Sequence, residues 1–212
     1  MIFKQIESGG DRNYAYLIAS EETMEAILID PSPDPLKVIN MVREEKVEIK
    51  YIINTHSHFD HSGGNDNFKR THMDDGPVNF INCGVDTAGR DGETLGLGEL
   101  ILEFIHTPGH TEDSICIKVK DKLITGDTLF VGKVGGTYGE KDAKTEFESL
   151  KKLVTLPPDT EVWPGHNYGE TPSSTIKFEL ANNPFIKRLN EFSEFLWLKQ
   201  NWPKYKLEHG IK

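Results

Sequence analysis

The stretch Thr55-His56-Ser57-His58-Phe59-Asp60-His61-Ser62-Gly63-Gly64 follows directly on the apolar run Ile49–Asn54 (IKYIIN). That run reads as a β-strand, and the two glycines mark a turn beyond it. Three imidazoles and one carboxylate therefore leave a strand end within six residues. If extended geometry continues past Asn54, His56 and His58 share one side, because side chains two apart on a strand face the same way. Asp60 and His61 then enter a neighbouring volume. Such a set suits two adjacent metal ions rather than one. Cysteine is absent and carboxylate is present, which points away from a closed structural zinc site. It fits a hydrolytic or oxygen-activating centre with open coordination.

Three more candidate ligands sit where a strand meets a turn. His110 lies in Thr107-Pro-Gly-His-Thr111, Asp127 in Thr125-Gly-Asp-Thr128, and His166 in Pro164-Gly-His-Asn-Tyr168. In each, a glycine just before the ligand lets the chain turn sharply and free the side chain. His72, His106 and His209 lack such a context and read as structural or exposed residues.

Around these motifs the first two-thirds of the chain is rich in short apolar runs. Ile2–Ile6, Tyr14–Ala19 and Ala26–Asp30 read as strands. Pro35–Lys46 reads as a helix, with apolar residues at helical spacing. Val78–Cys83, Leu100–His106, Ser114–Lys120, Lys122–Thr125 and Glu161–Trp163 read as further strands, and Thr94–Gly98 as a turn-bounded connection. Lys141–Leu156 carries apolar residues on one helical face. Residues 173–212 read as two aromatic-rich helices whose Phe and Trp residues serve packing. Many strands follow one another without a helix between them, which disfavours one doubly wound parallel sheet. Two face-to-face sheets with outer helices fit the order better. The chain is expected to form a single domain, 1–212, with 173–212 as a helical C-terminal extension.

Composition narrows the function classes. The 212 residues hold 24 Lys+Arg against 34 Asp+Glu, a formal charge of −10, which argues against nucleic acid or a membrane surface as partner. No apolar run approaches the ~20 residues of a membrane span. The N-terminal segment has no signal-peptide pattern, and a cytoplasmic location is expected. Cys83 and Cys116 lie in strand-like runs and read as small buried hydrophobes rather than a disulfide.

Taken in order, THSHFDHSGG, TPGHT, TGDTLF and PGHNYG resemble the metallo-β-lactamase superfamily, from residue 1 to about residue 170. The resemblance implies an α/β fold, a four-layer αββα sandwich with its metals at one edge. It implies two divalent ions, zinc foremost with iron or manganese as alternatives. His56, His58 and His110 would hold one ion, Asp60, His61 and His166 the second, with Asp127 bridging. Asp60 and Asp127 would be the catalytic carboxylates. Thr171-Pro-Ser-Ser-Thr175 and Asn183-Pro-Phe185 are similar to elements of glyoxalase II, the hydroxyacylglutathione hydrolases. That branch implies hydrolysis of an S-(2-hydroxyacyl)glutathione-type thioester, by a monomer or homodimer. Two departures stand out. The helical insert usual before the PST element is missing, and Gly136 occupies the place of a basic glutathione contact. Lys133, Tyr138, Tyr168, Lys187 and Arg188 are the remaining candidates to hold substrate carboxylates. The persulfide dioxygenases share the fold and most of these motifs. Their equivalents of His56, His110 and Asp127 hold a single iron, which is the alternative reading. A secreted β-lactamase, a flavodiiron protein and an RNA-processing nuclease each require segments or surface charge that this sequence lacks.

Overall fold

In the computed structural model of the chain, residues 1–71, 79–82 and 91–211 are described. The first half builds one sheet. Strands β1 (Ile2–Gly9), β2 (Asn13–Ala19), β3 (Glu25–Ile29), β4 (Glu48–Asn54) and β5 (Asn79–Asn82) lie in that order. The first three pair antiparallel, and β3, β4 and β5 pair parallel. The parallel β3–β4 step needs a crossover, which α1 (Pro35–Glu45) supplies. Asp34 caps α1 by accepting from Leu36 N at 3.1 Å, and Pro35 opens it, where a missing N–H costs nothing. Lys46 lies outside the helix, in the left-handed conformation that ends it. Two short helices, α2 (Phe59–Ser62) and α3 (Asn65–Thr71), follow β4.

The second half builds the other sheet. Its strands are β6 (Thr94–Leu97), β7 (Leu100–His106), β8 (Ile115–Val119) and β9 (Lys122–Gly126), all antiparallel neighbours. Thr94–Leu97 of the expected Thr94–Gly98 connection is thus a paired edge strand, with Gly98 in the turn after it. Its alternate residues are exposed, so its apolar signal is too thin to read alone. A two-stranded ribbon follows, β10 (Leu129–Phe130) with β11 (Lys133–Val134). Helix α4 (Glu140–Leu153) then crosses to β12 (Glu161–Pro164), parallel to β9. Strand β13 (Ser174–Thr175) adds to β12, completing the order β13-β12-β9-β8-β7-β6. The C-terminal segment holds α5 (Ile176–Asn182), a 3₁₀ turn at Ile186–Arg188, and α6 (Phe192–His209).

Burial defines four layers. Tyr16, Ile18, Ile27, Ile29 and Ile53 of the first sheet meet Leu100, Leu102, Phe104, Ile117 and Ile124 of the second. Strand β7 shows how pattern sets orientation: Leu100, Leu102 and Phe104 point inward, while Ile101 and Glu103 face solvent. Val38, Val42 and Phe68 cover the first sheet's outer face. Phe147, Leu150, Ile176, Phe185, Phe195 and Leu198 cover the second's. The fold is an αββα sandwich.

The PST and NPF elements converge on Glu179 of α5, which is fully buried. Ser174 Oγ donates to Glu179 Oε1 at 2.5 Å; Asn183 Nδ2 and Gly132 N donate to Oε2 at 2.8 and 3.0 Å. Asn183 Nδ2 also reaches Lys133 O at 3.2 Å. These motifs therefore anchor the β10–β11 ribbon. Phe178 and Trp197 are partly solvent-exposed, so the aromatic content of this segment is not all packing. Cys116 is a buried thiol; Cys83, Val78 and His72 lie outside the described residues. Among the described residues, no helix is long and apolar enough to cross a membrane.

Candidate metal centre

The seven candidate ligands leave five different places in the fold. His56 and His58 follow β4, and Asp60 and His61 stand on α2. His110 follows β7, Asp127 follows β9, and His166 follows β12. All lie at one edge of the sandwich, where backbone bonds stitch the sheets together. Ile115 N donates to Thr55 O at 2.9 Å, and Tyr14 N to Gly165 O at 2.8 Å. The strand ends at Asn54 and the chain bends at Thr55 and His56, yet the His56 and His58 rings still lie close, 4.6 Å between centres, while Asp60 and His61 sit on a helical turn. Gly126 is required at its position: its φ is +48°, and an added Cβ would come 2.5 Å from Thr55 Oγ1.

The hydrogen bonds fix which nitrogen of each ring faces the centre. His61 Nδ1 donates to Asp30 Oδ2 at 3.0 Å, His110 Nδ1 to Gly136 O at 2.8 Å, and His166 Nδ1 to Asp11 O at 2.9 Å. These acceptors carry no hydrogen, so the ring proton sits on Nδ1. Thr55 Oγ1 spends its hydrogen on Asp30 Oδ2 at 2.6 Å and therefore accepts from His56 Nδ1 at 3.1 Å. Four Nε2 lone pairs are left pointing inward.

Those inward atoms crowd. His58 Nδ1 lies 3.0 Å from His56 Nε2 and 3.1 Å from His110 Nε2, and His61 Nε2 lies 3.2 Å from His166 Nε2. With the rings neutral, facing lone pairs at such distances repel, and either a shared proton or a metal cation between them relieves the repulsion. Ligand atoms around a tetrahedral ion with bonds of about 2.0–2.1 Å lie roughly 3.3 Å apart. Three groupings have donor atoms within 4.8 Å of one another: His56, His58 and His110; Asp60, His61 and His166; and His56, His61 and Asp127. Asp127 stands between the first two. Its Oδ2 lies 3.6 Å from His110 Nε2 and 3.3 Å from His166 Nε2, and its Oδ1 lies 3.5 Å from His61 Nε2. Oδ1 is buried without a hydrogen-bond partner among the described residues. A donor set of imidazole and carboxylate with an orphaned buried oxygen fits divalent zinc, iron or manganese.

The local field is tuned for cations. Burial, helped by the His61 charge, pushes His56 down to about 4. Burial also opposes charge on His61, but Asp30 beside it outweighs this and lifts it to about 9. For His166, the Asp127 hydrogen bond and charge likewise overcome burial and raise it. Burial alone would raise Asp127, yet His166 and His61 hold it far below the usual carboxylate range. Asp60 is also lowered: burial works against its charge, while the 2.9 Å bond from Asn13 Nδ2 and the nearby histidines favour it.

A cavity of about 520 Å³ opens beside this edge, lined by Phe130, Lys133, Tyr168, Phe185, Lys199 and Trp202, among others. Lys133 is half-buried with its Nζ 4.0 Å from the Tyr168 ring centre. Burial, with Lys206 and Arg12 nearby, pushes it down to about 8. Tyr138 stands at the rim, 84% exposed. Lys187 does not join them. It is exposed on the 3₁₀ turn, away from the residues lining this cavity, because Asn183-Pro-Phe185 turns the chain toward the core. Arg188 bonds Pro184 O at 2.8 Å instead. His106 bonds Glu112 O at 3.0 Å, and His209 stacks on Tyr205, both outside the centre.

Sequence reading missed the residues that aim the ligands: Asp30, Asn13 and the Asp11 carbonyl. Asp30 had one signal, an acidic residue closing an apolar strand before Pro31. Its φ of +49° is the left-handed conformation, which a non-glycine residue adopts at some cost.

A family model described as the metallo-beta-lactamase superfamily matches residues 8–76 and 73–166. The chain belongs to the metallo-β-lactamase superfamily. Among its relatives is a protein of Bacillus velezensis named "Probable polyketide biosynthesis zinc-dependent hydrolase BaeB". The two are 32% identical over 195 residues, 86% of each chain. The hydroxyacylglutathione hydrolase of a Polaromonas species is 35% identical over 198 residues, 87% of this chain and 72% of that one. The crystal structure of ETHE1 from Myxococcus xanthus superposes with a TM-score of 0.78 at 30% identity, covering 95% of this chain and 91% of that one. This metallo-β-lactamase superfamily member is an enzyme of the metallo-hydrolase kind, with glyoxalase II-like sequence and a centre suited to divalent metal.

Proposed function

We propose that the protein is a dinuclear metal hydrolase that cleaves S-(2-hydroxyacyl)glutathione-type thioesters in the cytoplasm. The observation that carries this reading is the pair of facing ligand sets with Asp127 between them. His56, His58 and His110 would hold one ion and Asp60, His61 and His166 the other, with Asp127 turned to both. Two divalent ions held there would lower the pKa of a water molecule and polarise a carbonyl oxygen. Water oxygen bonds to the thioester carbon, the carbon–sulfur bond breaks, and the water's protons end on the carboxylic acid and the thiol. Asp127, almost buried and held ionised, orients the water. Asp60, whose side chain is 44% exposed, is placed to take up a proton from the water and return it, through solvent, to the departing thiolate. Asn13 keeps Asp60 aimed inward.

The cavity supplies recognition. Lys133 offers a cation to a substrate carboxylate, with no ion-pair partner among the described residues, and Tyr168 and Tyr138 flank it. It stands in for the basic residue missing at Gly136. The names of the hydroxyacylglutathione hydrolase relatives support the thioester class.

A second reading, a mononuclear iron persulfide dioxygenase, draws support from the likeness to ETHE1. Metal content of protein purified without added metal, paired with oxygen uptake on glutathione persulfide, separates the two. The hydrolase requires close to two metals per chain and no oxygen uptake. One iron with rapid oxygen consumption would overturn it. His166→Ala gives an independent test: the hydrolase loses one metal and most activity, whereas the dioxygenase keeps its iron.

A further inference from the structure

Helices α4 and α6 are joined by a buried ion pair between Glu146 and Lys199. Glu146 is fully buried, and the Lys199 side chain is 9% exposed. Apolar residues of similar size commonly join two helices as well as a buried pair or better, so stability alone gives no reason for these charges. Their surroundings give one. Gly109, just before His110, lies against Glu146: an added Cβ would come 2.4 Å from Glu146 Cβ and 2.6 Å from its nitrogen. Lys199 Nζ makes a second bond, donating to Gly135 O at 2.6 Å. The next carbonyl, Gly136 O, accepts the His110 Nδ1 proton at 2.8 Å. Glu146, through its backbone and Cβ, therefore touches the segment that carries His110, and Lys199, through its ammonium, touches the segment that orients the His110 ring. The other ligand set is braced by Asp30, Asp11 and Asn13, none of which contacts this pair.

We propose that Glu146 and Lys199 are positioning residues for His110, holding Gly135–Gly136 so that His110 Nε2 aims at the ion position it shares with His56 and His58. The proposal rests on the two-ion reading of the centre. It makes the C-terminal helix, which also forms a wall of the cavity, a brace for one ion and not the other. Losing a bond that orients a ligand histidine typically costs 10–100-fold in metal affinity.

The test is the double variant Glu146→Leu/Lys199→Met, which removes both charges without stranding either. It is titrated with zinc against a chromophoric chelator after metal removal. The titration is repeated in a His166→Ala background, which keeps only the His56–His58–His110 position, and in a His58→Ala background, which keeps the other set. The expected result is a 10–100-fold loss of zinc affinity in the first background and less than about threefold in the second. The metal-free double variant should unfold within a few degrees of wild type, and its His110 Nδ1–H proton should exchange faster by NMR. Glu146→Gln, which leaves Lys199 able to bond Gly135 O, should restore most of the affinity. If the double variant does not fold, Lys199→Met alone carries the same expectation. Equal affinity in both backgrounds, or equal loss in both, overturns the proposal and leaves the two-ion reading standing. A wild-type chain that takes up no zinc, iron or manganese overturns both.

Discussion

Each ring that presents Nε2 to the centre donates its other N–H to an oxygen facing away, and that arrangement sets the protein's response to acid and base. Burial depresses His56 to about 4, so the folded chain resists a proton that the unfolded chain accepts near 6.5. In metal-free protein its contribution is fully present above about pH 6.5 and is lost as pH falls toward 4, by about 3 kcal/mol. His61, lifted to about 9, acts oppositely: its contribution is present below about 6.5 and lost as pH rises through 9. Urea unfolding of the metal-free protein should show its highest midpoint near pH 6.5, with lower midpoints at both 4.5 and 9.5. A midpoint that climbs steadily across that range would contradict this electrostatic account. Asp127→Ala should cut kcat/KM by more than about 100-fold while circular dichroism stays unchanged. Wild-type turnover in that variant would remove Asp127 from the mechanism. The seven candidate positions, which the fold gathers at one edge, stood out because unusual residue types cluster at strand ends. Asp30, Asn13, Glu146 and Lys199 were not, since each is an ordinary polar residue given its role by partners distant in sequence.

The strands and long helices were legible where pattern and punctuation agree. Apolar residues at helical spacing after Pro35 marked α1, and a short apolar run marked β7; the Asp34 cap and the in–out alternation of β7 became plain only in the fold. Edge and ribbon strands were not, because Thr94–Leu97, Leu129–Phe130 and Lys133–Val134 are too short or too exposed to carry periodicity. The PST and NPF motifs marked a family branch but hid their physical task, which is to hold the β10–β11 ribbon through Glu179. Burial raises that carboxyl above its usual range. Glu179→Ala would leave Gly132 N, Ser174 and Asn183 without their acceptor. A loss of about 2–4 kcal/mol follows, or roughly 5–15 °C in Tm for a chain of this size. KM should rise as well, because the ribbon carries Lys133. Differential scanning calorimetry together with steady-state kinetics reads both. An unchanged Tm would mean that the ribbon is anchored elsewhere.

Across the whole molecule the chain folds as two consecutive half-sandwiches. The first sheet uses strands between Ile2 and Asn82, and the second uses strands between Thr94 and Thr175. Ions bound between them stabilise the folded state by mass action, by about 4 kcal/mol when free metal is 1,000-fold above Kd. Chelator treatment should therefore lower Tm by roughly 8–16 °C, and stoichiometric zinc should restore it. A Tm indifferent to metal would disconnect the centre from the fold. The proposed ligands divide along the same line. Each ion would take two residues from the first half and one from the second, with Asp127 added from the second. The ions then act as rivets between separately encoded plates. Two polypeptides divided between Asn82 and Thr94 would each own an incomplete socket, and their reunion would depend on free metal, the working principle of a split reporter for zinc.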